Sequence, residues 1–173
     1  MKLFRFLILV SVVITFVVCA AGQRRVRFSS VYTDFKRGCK TLPGGNGSDI
    51  AYLCRGAVRY KVRIYYSAAA THLAAELTGT DKFTPIATLD LRFDYTKTRV
   101  EWRLANGKPF AVIYRVPRYA ESKEGEYFGK VIGQRLAVIG LGNVDINETI
   151  DARSRTANVR AREMADKAYL AGK

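Results

Sequence analysis

Arg99-Val100-Glu101-Trp102-Arg103-Leu104-Ala105-Asn106-Gly107-Lys108-Pro109-Phe110-Ala111-Val112-Ile113-Tyr114-Arg115-Val116 is the most legible stretch of the chain. Val100, Trp102 and Leu104 alternate with polar neighbours, the period of a strand with one buried face. Asn106-Gly107 sits between two such runs. Both residues tolerate positive φ, which the tight turns of hairpins require. The stretch therefore reads as an antiparallel hairpin, with Pro117 expected to end its second strand because proline removes a ladder donor.

The same period extends outward. In Val58 to Tyr66, Val58, Tyr60, Val62, Ile64 and Tyr66 share one face, and Arg59, Lys61, Arg63 and Tyr65 share the other. This predicts a half-buried strand with a basic outer face. Thr88 to Tyr95 repeats the pattern, with Leu89, Leu91, Phe93 and Tyr95 inward and Asp90, Arg92 and Asp94 outward. Val26 to Tyr32 and Ile50 to Cys54 are weaker strand candidates. Tyr127 to Ile139 reads as a strand, or a strand pair broken at Gly133-Gln134, and residues 118–126 as a loop. Ala68 to Leu77 has helical composition yet lies between strands, so it reads either way. Ser154 to Tyr169 changes to helical spacing, with Ala157, Ala161, Met164, Ala165 and Ala168 on one stripe. The expected fold is α+β: an antiparallel β-sheet or partial barrel, with the C-terminal amphipathic helix packed by its alanines on one sheet face.

The N-terminus bears on compartment. Lys2 and Arg5 precede an apolar run from Phe6 to Val18, and small residues follow at Cys19 to Gly22. That order is the secretory pattern, so residues 1–22 are expected to be a signal peptide and 23–173 a single β-rich domain. Two alternatives stand beside it. Arg24, Arg25 and Arg27 directly after the apolar run favour an uncleaved anchor, and Cys19 is a candidate for lipidation. The formal charge is +14, and removal of Lys2 and Arg5 with the signal leaves +12. Such a surplus favours anionic surroundings. Of three cysteines, Cys39 and Cys54 would remain after cleavage. An even pair in an exported chain reads as a disulfide, here around the turn-forming stretch Pro43 to Ser48.

Most site chemistries lack their residues. The chain has one histidine, His72, and no G-x-S-x-G elbow for it to serve, so no catalytic residues are assigned. Two cysteines and one histidine do not make a zinc site, and no metal is expected. Asp90 and Asp94 share a predicted strand face, which cross-strand pairing with Arg59, Lys61 and Arg63 would explain without catalysis. Glu124 and Glu126 fall in the predicted loop. Val138 to Asp145 contains Gly140-Leu141-Gly142, the start of a dinucleotide fingerprint. Asp145 holds its third glycine position and no second parallel strand can follow, so a turn into the helix, capped by Asp145 or Asn147, is the better reading, and no cofactor is expected. Arg59, Lys61 and Arg63 remain as candidate anion-binding residues. Export makes nucleic acid an improbable target, and an anionic envelope polymer, a lipid head group or a protein the expected partner.

Several pieces also resemble, in order, a group of small uncharacterised exported proteins of bacteria. They are Ser30-Val31-Tyr32-Thr33-Asp34 with Cys39, then Cys54-Arg55-Gly56 leading to Tyr60. Glu101 to Leu104, Asn106 to Ala111, and Ala157 to Asp166 follow. The group carries a further cysteine in its last strand that this chain lacks. The resemblance implies a periplasmic or secreted location and one domain, and no activity. The expected function is a non-enzymatic exported domain binding an anionic envelope component or a protein. The rival readings are an inhibitor of a cell-wall hydrolase, against which the charge argues if the enzyme is itself basic, and a carboxylate-dependent hydrolase.

Overall fold

The computed structural model describes residues 25–36, 38–43 and 51–172. The expected signal peptide, Cys19 and the turn-forming residues 44–48 lie outside the described residues. Among the described residues ten strands and one α-helix follow one another: β1 (Phe28–Asp34), β2 (Lys40–Leu42), β3 (Ala51–Arg55), β4 (Tyr60–Tyr66), β5 (Ala70–Leu77), β6 (Phe83–Asp90), β7 (Arg99–Ala105), β8 (Lys108–Tyr119), β9 (Val131–Gly140), β10 (Asn147–Asp151) and α1 (Ala157–Ala171). They form two antiparallel five-stranded sheets, in the orders β1-β7-β8-β9-β10 and β2-β3-β4-β5-β6. The sheets do not close into a barrel, and the α+β class holds.

Three layers result, and strand alternation divides most of the core side chains between two interfaces. Between the sheets lie Val62, Ile64, Leu73, Ala75, Ile86 and Leu89 from one, and Val100, Trp102, Leu104, Val112, Tyr114, Val116 and Ala137 from the other. Between the first sheet and α1 lie Ala111, Ile113, Leu136, Val138 and Ile150 against Ala157, Ala161 and Ala165. The central strands β7 and β8 are thus buried on both faces. Trp102 is fully buried, and its indole N–H donates to Thr33 Oγ1 at 3.0 Å. At roughly 25 cal/mol per Å² over roughly 200 Å² of ring system, its burial contributes about 5 kcal/mol before entropy is counted. Alanines spaced i, i+4 bring α1 close to the sheet, and Tyr169 anchors its far end on Phe110 and Phe28 at 4.6 and 5.9 Å between ring centroids.

The hairpin Arg99 to Val116 forms as read, with Asn106 and Gly107 at φ 51° and 80°. Two open readings are decided and other expectations are corrected. Ala70–Leu77 is a strand: it lies between β4 and β6 and buries Leu73 and Ala75 in the core, so ladder bonds on both edges outweigh alanine's helix propensity. The strand expected over Thr88 to Tyr95 ends at Asp90. The Asp90 carboxylate accepts from the backbone N–H of Arg92 at 2.8 Å, a local turn that competes with the ladder, and Leu91 is left exposed. Asp94 then accepts from Thr96 N–H and caps a 3-10 turn at Tyr95–Lys97. Pro117 does not end β8, which runs on to Tyr119. Pairing with β7 stops at Val100↔Tyr114, so one edge of β8 needs no donor at Pro117. β9 is a single strand. The Gly140-Leu141-Gly142 run makes the β9–β10 hairpin rather than a turn into the helix. A Cβ on Gly140 would sit 1.9 Å from the Val144 carbonyl oxygen, and Gly142 has φ +64°. Thr156, neither Asp145 nor Asn147, precedes the helix.

Candidate functional site

The candidate anion-binding residues are split by the fold. β4 begins at Tyr60, so Arg59 lies in the preceding turn, where Val58 has φ 55° and is exposed instead of facing the core. Lys61 and Arg63 do project from the outer face of β4. Arg63 Nε, however, meets Glu76 Oε2 of β5 at 2.6 Å, which neutralises it. The expected pairing with Asp90 and Asp94 does not occur, because β5 separates β4 from β6. Asp90 pairs with Arg92 at 2.6 Å and Asp94 with Lys97 at 3.2 Å. The Arg92 guanidinium holds the Asp90 carboxyl below the ordinary carboxylate range. Asp151-Ala152-Arg153 repeats the device: Arg153 pairs with Asp151 at 2.6 Å and pulls its pKa to about 2.

Cys39 and Cys54 form a disulfide. It ties the segment after β1 to β3 and so sets the place of Asp34, Phe35 and Lys36. Phe35 is buried, edge-on to Tyr95 at 5.7 Å.

Two grooves open on either side of this segment. The larger, of about 700 Å³, has Glu101, Ile113 and Leu136 on its floor and Tyr32, Phe93, Lys36, Arg99, Arg115 and Arg162 around it. The smaller, of about 580 Å³, is lined by Arg55, Val58, Tyr60 and Lys61 among others. Tyr32 and Asp34 line both, so the grooves meet at the end of β1.

The floor is held by a polar network. Glu101, buried under α1's edge, accepts from Ser30 Oγ at 2.7 Å and from Arg162 Nε at 2.6 Å. Arg162 also donates to the Tyr32 hydroxyl at 2.9 Å. Arg103 donates to both carboxylate oxygens of Asp166 at 2.7 and 2.6 Å and to Ser30 at 3.1 Å. The pieces Ser30 to Asp34, Glu101 to Leu104 and Ala157 to Asp166, which are remote in sequence, therefore meet in one cluster. Glu101 raises the pKa of Arg162 by hydrogen bonding, and burial raises that of Tyr60, so at neutral pH the arginine is charged and the phenol neutral.

Around the joined grooves five cations, Lys36, Arg55, Lys61, Arg99 and Arg115, have no ion-pair partner among the described residues. Arg99 lies over the Tyr32 ring at 4.7 Å, and Arg115 donates to Gln134 at 3.4 Å. Three carboxylates also line the larger groove. Glu101 and Asp94 are in ion pairs, which leaves Asp34 the unpaired one there. Of this arrangement the sequence reading found Lys61, with Arg55 flanking it, and missed Lys36, Arg99 and Arg115 as site residues. One signal was present: Arg115 interrupts the apolar run of β8.

No group of three or more His, Cys, Asp or Glu side chains among the described residues is placed to hold a metal ion. No described helix is long and apolar enough to cross a membrane. Comparison with protein-family profiles, with curated proteins and with solved structures found no match to this chain.

Proposed function

We propose that this chain is an exported, non-enzymatic binding domain, and that an extended anionic polymer of the cell envelope lies along the two joined grooves. The observation that carries this reading is the count of uncompensated charge in the trough: five cations against Asp34. A row of fixed cations around a partly desolvated groove raises the local concentration of an anionic chain and speeds its encounter. Tyr32 and Tyr60 add ring surface between the charges, suited to a polymer that alternates charged groups with less polar ones. The secretory pattern of residues 1–22, the Cys39–Cys54 disulfide and the resemblance to exported proteins support the compartment.

The test is retention on immobilised dextran sulfate. Lys36→Gln/Arg99→Gln/Arg115→Gln is expected to elute at much lower salt than the parent. Arg155→Gln/Arg160→Gln/Lys167→Gln removes the same charge from exposed positions outside the trough and is expected to elute near the parent. Equal loss in both variants would reduce the reading to bulk charge and overturn it. Export is checked separately, by sequencing the N-terminus of the protein recovered outside the cytoplasm.

A further inference from the structure

A second recess lies on the solvent face of the second sheet, away from the cationic trough. It encloses about 490 Å³ and is lined by Arg63, Tyr65, Glu76, Thr80, Asp81 and Phe83. Two aromatic rings bracket it. Phe83 is 58% exposed, an apolar surface that the fold itself does not use. Tyr65 stacks on His72 at 4.8 Å and 13° between planes, which holds its ring in place at the edge of the recess.

The ladder fixes how far apart the rings stand. Tyr65 pairs with His72, and Phe83 with Glu76, four residues further along β5. At ~3.3 Å per residue and ~4.8 Å per strand, that places their backbones roughly 16 Å apart on a diagonal. The recess is therefore long enough for more than one sugar ring.

Polar groups lie between the rings. Arg63 gives only its Nε to Glu76 Oε2, so both terminal guanidinium nitrogens and Glu76 Oε1 keep free hydrogen-bonding positions. Donors and acceptors side by side suit vicinal hydroxyls, which offer both.

Charge narrows the ligand. Arg63 and Glu76 cancel, and Asp81 remains without a partner among the described residues. An anion would face Asp81, and a cation would approach a chain of formal charge +14. A neutral, hydroxyl-rich ligand meets neither cost. From these observations we propose that this face is a binding site for a neutral oligosaccharide, with Tyr65 and Phe83 as stacking platforms and Arg63 and Glu76 as the hydroxyl-reading pair.

The experiment records backbone amide NMR shifts of the protein titrated with neutral oligosaccharides derived from cellulose, chitin and starch. It is run at roughly 1 M salt, where a Debye length of about 3 Å silences the trough. At least one of the three is expected to shift amides of β4 to β6. Phe83→Ala, on an exposed side chain, is expected to weaken that binding roughly tenfold, the effect of losing about 1.4 kcal/mol of stacking and desolvation. Glu76→Gln is expected to weaken it with little change in melting temperature. Lys36→Gln/Arg99→Gln/Arg115→Gln is expected to bind as the parent does, which separates failure of this site from failure of the trough. No shifts with any of the three sugars, or binding unchanged in Phe83→Ala, would overturn the proposal.

Discussion

Replacing Arg162 by Gln should destabilise the protein more than replacing its partner Glu101 by Gln. The asymmetry follows from burial. The Glu101 side chain is 8% exposed, whereas that of Arg162 is 35% exposed at the groove edge. In Arg162→Gln the carboxylate stays buried, loses bonds of 2.6 and 3.3 Å, and keeps only the Ser30 hydroxyl as donor. A charge-assisted bond contributes about 1.5–3 kcal/mol, and a buried charge left uncompensated costs about 3–5 kcal/mol. Water at the groove edge reduces that penalty, so the expected loss is about 2–3 kcal/mol. In Glu101→Gln the neutral amide keeps an acceptor for Ser30, and the freed guanidinium turns to solvent, which costs about 1 kcal/mol. The double variant should recover about 1–2 kcal/mol of the summed losses, since neither charge is then stranded. For a chain of this size 1 kcal/mol corresponds to about 2–4 °C in Tm, which places Arg162→Gln about 5–10 °C below the parent. The assay is urea unfolding followed by emission of Trp102, the sole tryptophan. If Glu101→Gln proves the more harmful, or the coupling falls below about 0.5 kcal/mol, the network is not a buried ion pair in the sense argued.

Three further outcomes are expected. Cys39→Ser/Cys54→Ser should lower stability by about 3 kcal/mol, the loop-entropy value for a crosslink spanning 15 residues; a loss under about 1 kcal/mol in calorimetry would contradict it. Trp102 should emit as a fully buried indole and resist acrylamide, and Trp102→Phe should cost about 2–4 kcal/mol through the cavity and the stranded Thr33 hydroxyl; facile quenching in the folded state would refute the burial. Asp151 should titrate near pH 2 by carboxyl NMR, against an ordinary value of 3.8, because Arg153 bonds its ionised form. A depressed folded-state pKa contributes stability above the unfolded value and loses it as pH falls from about 4 to about 2, and Arg153→Gln should return the midpoint to the ordinary range.

Which parts of the fold could be read depends on range. The hairpin over Arg99 to Val116 rests on period-two alternation and on two residues that tolerate positive φ, and both act locally. The alanine stripe of α1 was legible for the same reason. Ala70–Leu77 was ambiguous because alanine's propensity is local while the two neighbouring strands that overrule it are not. Over Thr88 to Tyr95 alternation misleads, because Asp90 and Asp94 are turn-forming side chains whose bonds to the backbone N–H groups of Arg92 and Thr96 compete with the ladder. Lys61 could be placed on a basic face because strand alternation places it there. Arg63 could not be seen as neutralised, since Glu76 lies on a different strand and only the β4–β5 register brings them together.

From its own order of residues the chain determines the strand-dominated class, the disulfide partners once an exporting start is granted, and the helix with its small-residue stripe. Each is a matter of neighbours a few residues apart, or of counting. The trough belongs to tertiary structure alone. Lys36, Arg55, Lys61, Arg99 and Arg115 come from five separate segments, and apart from Lys61, on its basic strand face, each by itself reads as an ordinary solvated charge. They become a site because sheet order, register and the crosslink after β1 bring them around shared grooves without supplying carboxylates to match, and charge balance in space cannot be computed from spacing along the chain.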